Sequence, residues 1–176
     1  MAPISIVSGC PGSGKTTLSR SLALSVPNGL HLVSDRFYEF PAVPIDPTRP
    51  ESEHQNTVIM RALARSARTF AEGGYHVILD GVIGPWFLPL LREELKGLES
   101  ISYVVLRASE SVALRRVRAR EGPGMSATVR HMVSAFEKLG EFRSHAVDTE
   151  ERTSEQIHEI VLKDLLSGRF RLSEQV

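Results

Sequence analysis

The chain has 176 residues, enough for one domain with a proper core and too few for two comfortable ones. Its 21 lysines and arginines balance 21 aspartates and glutamates, so no overall basic field draws it to nucleic acid, and no apolar run is long enough to span a membrane. A single cysteine excludes an internal disulfide, and the N-terminus lacks a basic segment followed by an apolar run; both point to a cytoplasmic protein.

Ile4–Ser8 reads as a short buried strand, and the residues from Thr17 to Leu24 carry apolar side chains at helical spacing. Between them stands Gly9-Cys10-Pro11-Gly12-Ser13-Gly14-Lys15-Thr16, the pattern G-x-x-x-x-G-K-[ST] in the strand–loop–helix setting that it requires. Glycines let such a loop turn its N–H groups inward as an anion nest, and the following helix points its positive end at the same spot. In that arrangement Lys15 faces the β- and γ-phosphates of a nucleotide, Thr16 is placed to ligate Mg²⁺, and Gly9 to Thr17 form the phosphate-binding segment.

Pro27-Asn28-Gly29 then marks a turn, and residues 30–34 read as a second strand ending at Asp35. Prolines 41, 44, 47 and 50 make the next stretch a restrained loop. A helix is expected over residues 51–71 and ends at Gly73-Gly74. Residues 75–80 form a nearly continuous apolar run closed by Asp80, as in a parallel strand buried on both faces. Further helices are expected over 87–98, 109–121 (capped by Ser109), 126–139 (capped by Ser126) and 153–168 (opened by a Thr153-x-x-Gln156 capping box). Residues 101–106 and, more weakly marked, 145–149 read as the fourth and fifth strands, whereas residues 169–176 carry no firm signal.

Strands alternating with helices imply an α/β three-layer sandwich, a five-stranded parallel sheet with helices on both faces. Right-handed crossovers bring the C-terminal ends of the strands to one edge, so the phosphate loop, Asp35 and Asp80 should share one crevice. There Asp80 is a candidate for the Mg²⁺ shell, with a solvated loop carboxylate as the alternative. Asp35 is a candidate base for an acceptor hydroxyl, with a helix N-cap as the alternative. Arg115, Arg116, Arg118 and Arg120 crowd one helix with no acidic residue between Glu110 and Glu121. Arg116 and Arg120 share a face, and Gly122-Pro123-Gly124 follows as a hinge, which suits a closing segment over about 110–127 that neutralises a transferring phosphoryl group; surface arginines that are merely solvated are the alternative. Phe37, Tyr38, Phe40, Pro41, Trp86 and Phe87 follow strands two and three, either as core or as the wall of a flat, partly apolar acceptor pocket. Cys10 is either a thiol activated by the nest or a small residue at a free motif position. The six histidines show no metal-ligand spacing.

With these motifs the chain, from Ile4 to about Leu166, resembles the small P-loop kinases of the chloramphenicol phosphotransferase, gluconate kinase and shikimate kinase kind. The resemblance implies an ATP- and Mg²⁺-dependent transfer to a hydroxyl of a small molecule by a monomer or homodimer. It implies Asp35 as base, Arg116 and Arg120 as the Arg-x-x-x-Arg pair of the lid, and residues 149–153 as the loop bordering adenine. The chain departs from its relatives in places. No arginine follows strand three to hold an acceptor phosphate, no run of three glycines stands there, and no Asn-Lys-x-Asp guanine signature exists. A nucleoside or nucleotide kinase using Arg36, Arg61 or Arg65, and a non-catalytic ATP-binding regulatory module, remain as alternatives.

Overall fold

The computed structural model describes residues 1–98 and 100–173. Strands β1 (Ile4–Gly9), β2 (Gly29–Val33), β3 (His76–Asp80), β4 (Ile101–Arg107) and β5 (Ala146–Asp148) form one sheet in the order β2-β3-β1-β4-β5, every pair parallel. The helices are α1 (Lys15–Ser25), α2 (Glu53–Glu72), α3 (Leu88–Glu94), α4 (Glu110–Glu121), α5 (Ser126–Glu137) and α6 (Ser154–Leu166). The period of two along each strand divides the core. Ile4, Ile6, Val77, Leu79, Tyr103 and Val105 face α2, α3, α4 and α5, while Val7, Ile78, Val104 and Leu106 face α1 and α6. The central strand β1 is buried along its whole length. This is the three-layer parallel architecture expected from the alternating pattern. Among the described residues no helix is long and apolar enough to cross a membrane.

Several boundaries shift for local physical reasons. The first helix starts at Lys15, two residues earlier than apolar spacing indicates, because Gly14 in a left-handed conformation (φ 99°) begins the helix directly from the loop. Ser34 and Asp35 leave the second strand and open a 3₁₀ turn over Ser34–Glu39. The third helix stops at Glu94, since the chain turns through Leu95 to a left-handed Gly97. Ser109 caps α4 by accepting from the Val112 amide, and Thr153 with Gln156 closes both bonds of the capping box on α6. Ser126 instead becomes the first residue of α5, with Met125 at the N-cap.

The stretch after Gly168 holds what the sequence pattern did not reveal. Phe170 is fully buried against the α1/α6 face, its carbonyl accepts from the Tyr103 amide at 2.9 Å, and the Leu172 amide donates to Ile101 O at 2.9 Å. One antiparallel bridge, Ser102 to Arg171, thus ties the chain to the start of β4 below the point where β5 begins. Residues 174–176 lie outside the described residues. Removing a buried phenyl ring leaves a cavity as well as lost transfer energy, so Phe170→Ala should cost about 3–5 kcal/mol in urea unfolding; a change under about 1 kcal/mol would show that this segment does not close the core.

Candidate functional site

The loop after β1 owes its shape to three glycines with positive φ: Gly9 (140°), Gly12 (83°) and Gly14 (99°). A Cβ on Gly9 would lie 2.2 Å from Leu106 O on β4, and one on Gly12 would lie 2.6 Å from Ala113 O on α4. The loop is therefore pressed between β4 and α4 at backbone distance. Gly14 is the N-cap of α1, no side chain caps that helix, and its first turn holds no acidic residue. Its leading amides keep their partial positive charge for an anion. Ser13 Oγ is buried in the loop without a partner among the described residues. Lys15 Nζ reaches back across the loop to donate to Cys10 O at 3.0 Å. Burial pushes the Lys15 pKa down, against the opposing pull of Asp80, Cys10 and Asp35. Gly9 and Cys10 sit beneath the loop, whereas Pro11 through Thr17 line the open space above it.

The carboxylates come from neighbouring strands. Asp80 closes β3 beside Val7 of β1 and Val33 of β2, and is 2% exposed. On the edge strand β2, His31 Nε2 lies 3.1 Å from Asp80 Oδ2 and holds that oxygen in place. Asp35 is exposed in the first turn of the 3₁₀ segment and accepts from Ser34 Oγ at 3.2 Å. The N-cap of that segment is Val33 and no side chain caps it, so the capping alternative for Asp35 is not realised. One turn on, burial and the nearby Asp35 push the Tyr38 phenol up to about 12, which keeps it protonated as a donor.

The segment after β3 is fixed from below. Ser8 Oγ donates to Ile83 O at 2.6 Å and accepts from the Ile83 amide at 3.0 Å, and the buried Tyr103 hydroxyl donates to the same carbonyl at 2.8 Å. This anchoring presents Trp86 and Phe87, with Trp86 leaning on Phe136 of α5 at 5.7 Å between ring centroids. A cleft of about 880 Å³ results, with the glycine loop at its centre. Strand order sets its two ends. Toward β2 and β3 lie Asp35, Tyr38, Val82, Trp86 and Phe87; toward β5 lie Arg152, Ser154 and Ile157. Lys15, Thr16, Thr17, Asp35, Asp80, Arg116 and Arg120 all line this one cleft, as the topology requires.

Other expected residues are placed differently. Phe40 is 75% exposed and Phe37 packs on the core, so of the aromatic group only Tyr38, Trp86 and Phe87 reach the cleft. Arg116 is engaged, donating to Gly12 O at 3.2 Å, Thr149 Oγ1 at 3.3 Å and Thr149 O at 3.3 Å; it buttresses the loop from α4. Arg120 bonds its neighbour Glu121. Arg61 and Arg65 pair with Glu94, Arg36 pairs with Glu39, and none of the three lines the cleft. Burial pushes the Cys10 thiol up more strongly than Lys15 pulls it down, so the activated-thiol alternative loses its basis. Asn56 on α2 and Met125, Thr128, His131 and Met132 at and along α5 also line the cleft, unforeseen from the sequence. Residues 125, 128 and 132 repeat at helical spacing beside the buried stripe Val129, Val133 and Phe136, a second stripe that periodicity could have flagged.

A family model described as an AAA domain matches residues 6–131, from β1 through most of α5. The chain belongs to the AAA domain family. Comparison with curated proteins finds no match. Among solved structures, this AAA domain resembles a sugar kinase from Janibacter sp. (TM-score 0.70, 21% identity, 98% of this chain and 100% of that one). It also resembles a gluconokinase from Sinorhizobium meliloti (0.62, 21%, 94% and 92%) and a shikimate kinase from Acinetobacter baumannii in complex with shikimate (0.65, 20%, 97% and 97%). At these identities the likeness is one of fold, the P-loop kinase fold. Within it the AAA domain's glycines are separable: Gly12 and Gly14 both carry positive φ, but a Cβ on Gly14 meets nothing within 4 Å. Gly14→Ala should therefore cost only the left-handed strain, about 1–2 kcal/mol, and Gly12→Ala distinctly more in the same urea titration; equal losses would remove the close approach to Ala113 as the constraint.

Proposed function

We propose that this protein is an ATP- and Mg²⁺-dependent phosphotransferase that moves the γ-phosphate to a hydroxyl of a small molecule. One observation carries the reading: a single cleft joins the glycine cradle to an exposed carboxylate, Asp35, backed by a walled space large enough for a second substrate. The P-loop kinase fold of the sugar kinase and shikimate kinase neighbours supports the same class. In this reading residues 1–176 act as one P-loop kinase-like domain, and the reduced, buried Cys10 suits a cytoplasmic setting.

The cradle fits the phosphates of ATP, because its amides are uncapped and its glycines leave no Cβ in their way. Thr16 and Asp80 offer the hard oxygen donors that suit Mg²⁺, which when bound would neutralise charge on the β- and γ-phosphates. Lys15 leaves Cys10 O and swings to the γ-phosphate, stabilising negative charge as transfer proceeds. His31 holds Asp80 in one orientation through Oδ2. Asp35 accepts the proton of the acceptor hydroxyl as its oxygen attacks phosphorus in line with the departing ADP. Arg116 steadies the loop and borders the phosphates, while Arg120, on the segment about 110–127, exchanges Glu121 for the phosphoryl oxygens as that segment closes and excludes water.

The loss from removing a general base is about 10²–10⁴-fold. Asp35→Asn should keep Mg·ATP affinity within about twofold and lower acceptor-dependent turnover by that factor. Turnover unchanged in Asp35→Asn would remove its assigned role. His31→Ala should weaken Mn²⁺ binding, followed by electron paramagnetic resonance in the presence of ADP, with His31→Gln restoring part of it; metal affinity in His31→Ala equal to that of the unaltered protein would detach His31 from the metal site.

A further inference from the structure

The end of the cleft toward β2 and β3 has a definite sign. On its polar side stand two carboxylates, Asp35 and Asp46, and the amide of Asn56. Asp46 accepts from the Thr48 amide at 2.9 Å and the Thr48 hydroxyl at 2.7 Å, bonds that push its pKa down and hold it ionised. Asn56 spends its Nδ2 on Pro47 O and Ser52 Oγ, both at 2.9 Å, so Oδ1 is left without a partner among the described residues. These three groups accept hydrogen bonds. Opposite them runs an apolar wall of Val82, Trp86, Phe87 and Met132, in which Trp86 is 49% exposed.

No lysine or arginine comes from the segments that build this end, residues 35–56, 82–87 and 125–132, among the described lining residues; the one side chain they offer that can become a cation is His131. Of the arginines beside the phosphate loop, Arg116 bonds Gly12 and Thr149, and Arg120, paired with Glu121 here, is assigned to the phosphoryl oxygens in the transfer. A carboxylate or phosphate on the acceptor would enter beside Asp35 and Asp46 with no lysine or arginine from these segments to offset them, and like charges so juxtaposed oppose binding.

We infer that the acceptor carries no negative charge: it is an uncharged or cationic alcohol, with hydroxyl or amino donors for Asp35, Asp46 and Asn56 and an apolar ring or chain for the Trp86 wall. The inference rests on the phosphotransferase reading for the identity of this end as the acceptor site and adds the sign of its ligand. It separates this site from the sugar acid and cyclohexene carboxylate that the gluconokinase and shikimate kinase are named for.

Trp86 is the only tryptophan of the chain, so ligands at this wall can be followed by its fluorescence. The full chain with Mg·ADP is titrated with matched pairs: glucitol and gluconate, methyl shikimate and shikimate, adenosine and AMP. The uncharged member should bind at least about tenfold more tightly in the pairs that bind, since one unscreened like-charge contact is worth that much or more. Thr128→Arg, which adds a cation to the α5 side of the cleft, should narrow the gap by about fivefold or more. Tighter binding of the carboxylate or phosphate, or a gap that Thr128→Arg leaves unchanged, overturns the inference. Because the readout is binding, a cleft that prefers anions yet phosphorylates them sinks the charge rule alone. A cleft that prefers uncharged ligands but never transfers phosphate sinks the phosphotransferase reading instead.

Discussion

The whole site depends on backbone approaching backbone at the glycine loop. Gly12 lies against the Ala113 carbonyl of α4 and Gly9 against the Leu106 carbonyl of β4, both at separations that leave no room for a Cβ. The left-handed φ values at these positions curl the chain so that the uncapped start of α1 opens toward the crevice. Arg116 reinforces the same contact from α4 by bonding Gly12 O, and it ties the loop onward to Thr149 after β5. The loop, α4 and the β5 connection are therefore tied together through one side chain. Arg116 thus anchors the middle of α4 to the loop, one turn before Arg120.

Strand order then decides which chemistry meets the loop. With β1 central and β3 beside it, Asp80 is delivered next to Lys15 and Thr16 as a buried group, while Asp35, one strand farther out and two residues past the end of β2, stays accessible. Burial thus gives two carboxylates two environments: one held by His31 and shielded, one open to the cleft. The polar pegs under the β3 loop, Ser8 and Tyr103, explain why two polar side chains are tolerated in the core. Both bind Ile83, and so fix the approach of Trp86 and Phe87 to the far wall.

Much of this was legible beforehand because it rests on local rules. The glycine motif, the apolar runs of β3 and β4, and the caps at Ser109 and Thr153 are each determined within a few residues, and the parallel sheet follows from their alternation. The convergence of Lys15, Thr16, Asp35 and Asp80 followed from topology alone. What escaped was long-range. Nothing local marks Phe170 as a plug for β4, His31 as the partner of an aspartate 49 residues away, or Asn56 and Met132 as walls of the cleft. The engagement of Arg116 with Gly12, 104 residues distant, is of the same kind: helical spacing showed its face but not its partner.

The fate of the terminal phosphate of ATP decides between a phosphotransferase and a hydrolase or binding module. The most direct measurement is ³¹P nuclear magnetic resonance of the full chain incubated with Mg·ATP and a mixture of uncharged and cationic alcohols. A phosphotransferase site yields a new phosphomonoester resonance coupled to acceptor protons, appearing in step with ADP. Inorganic phosphate as the sole product, formed at the same rate with and without the alcohols, would contradict it.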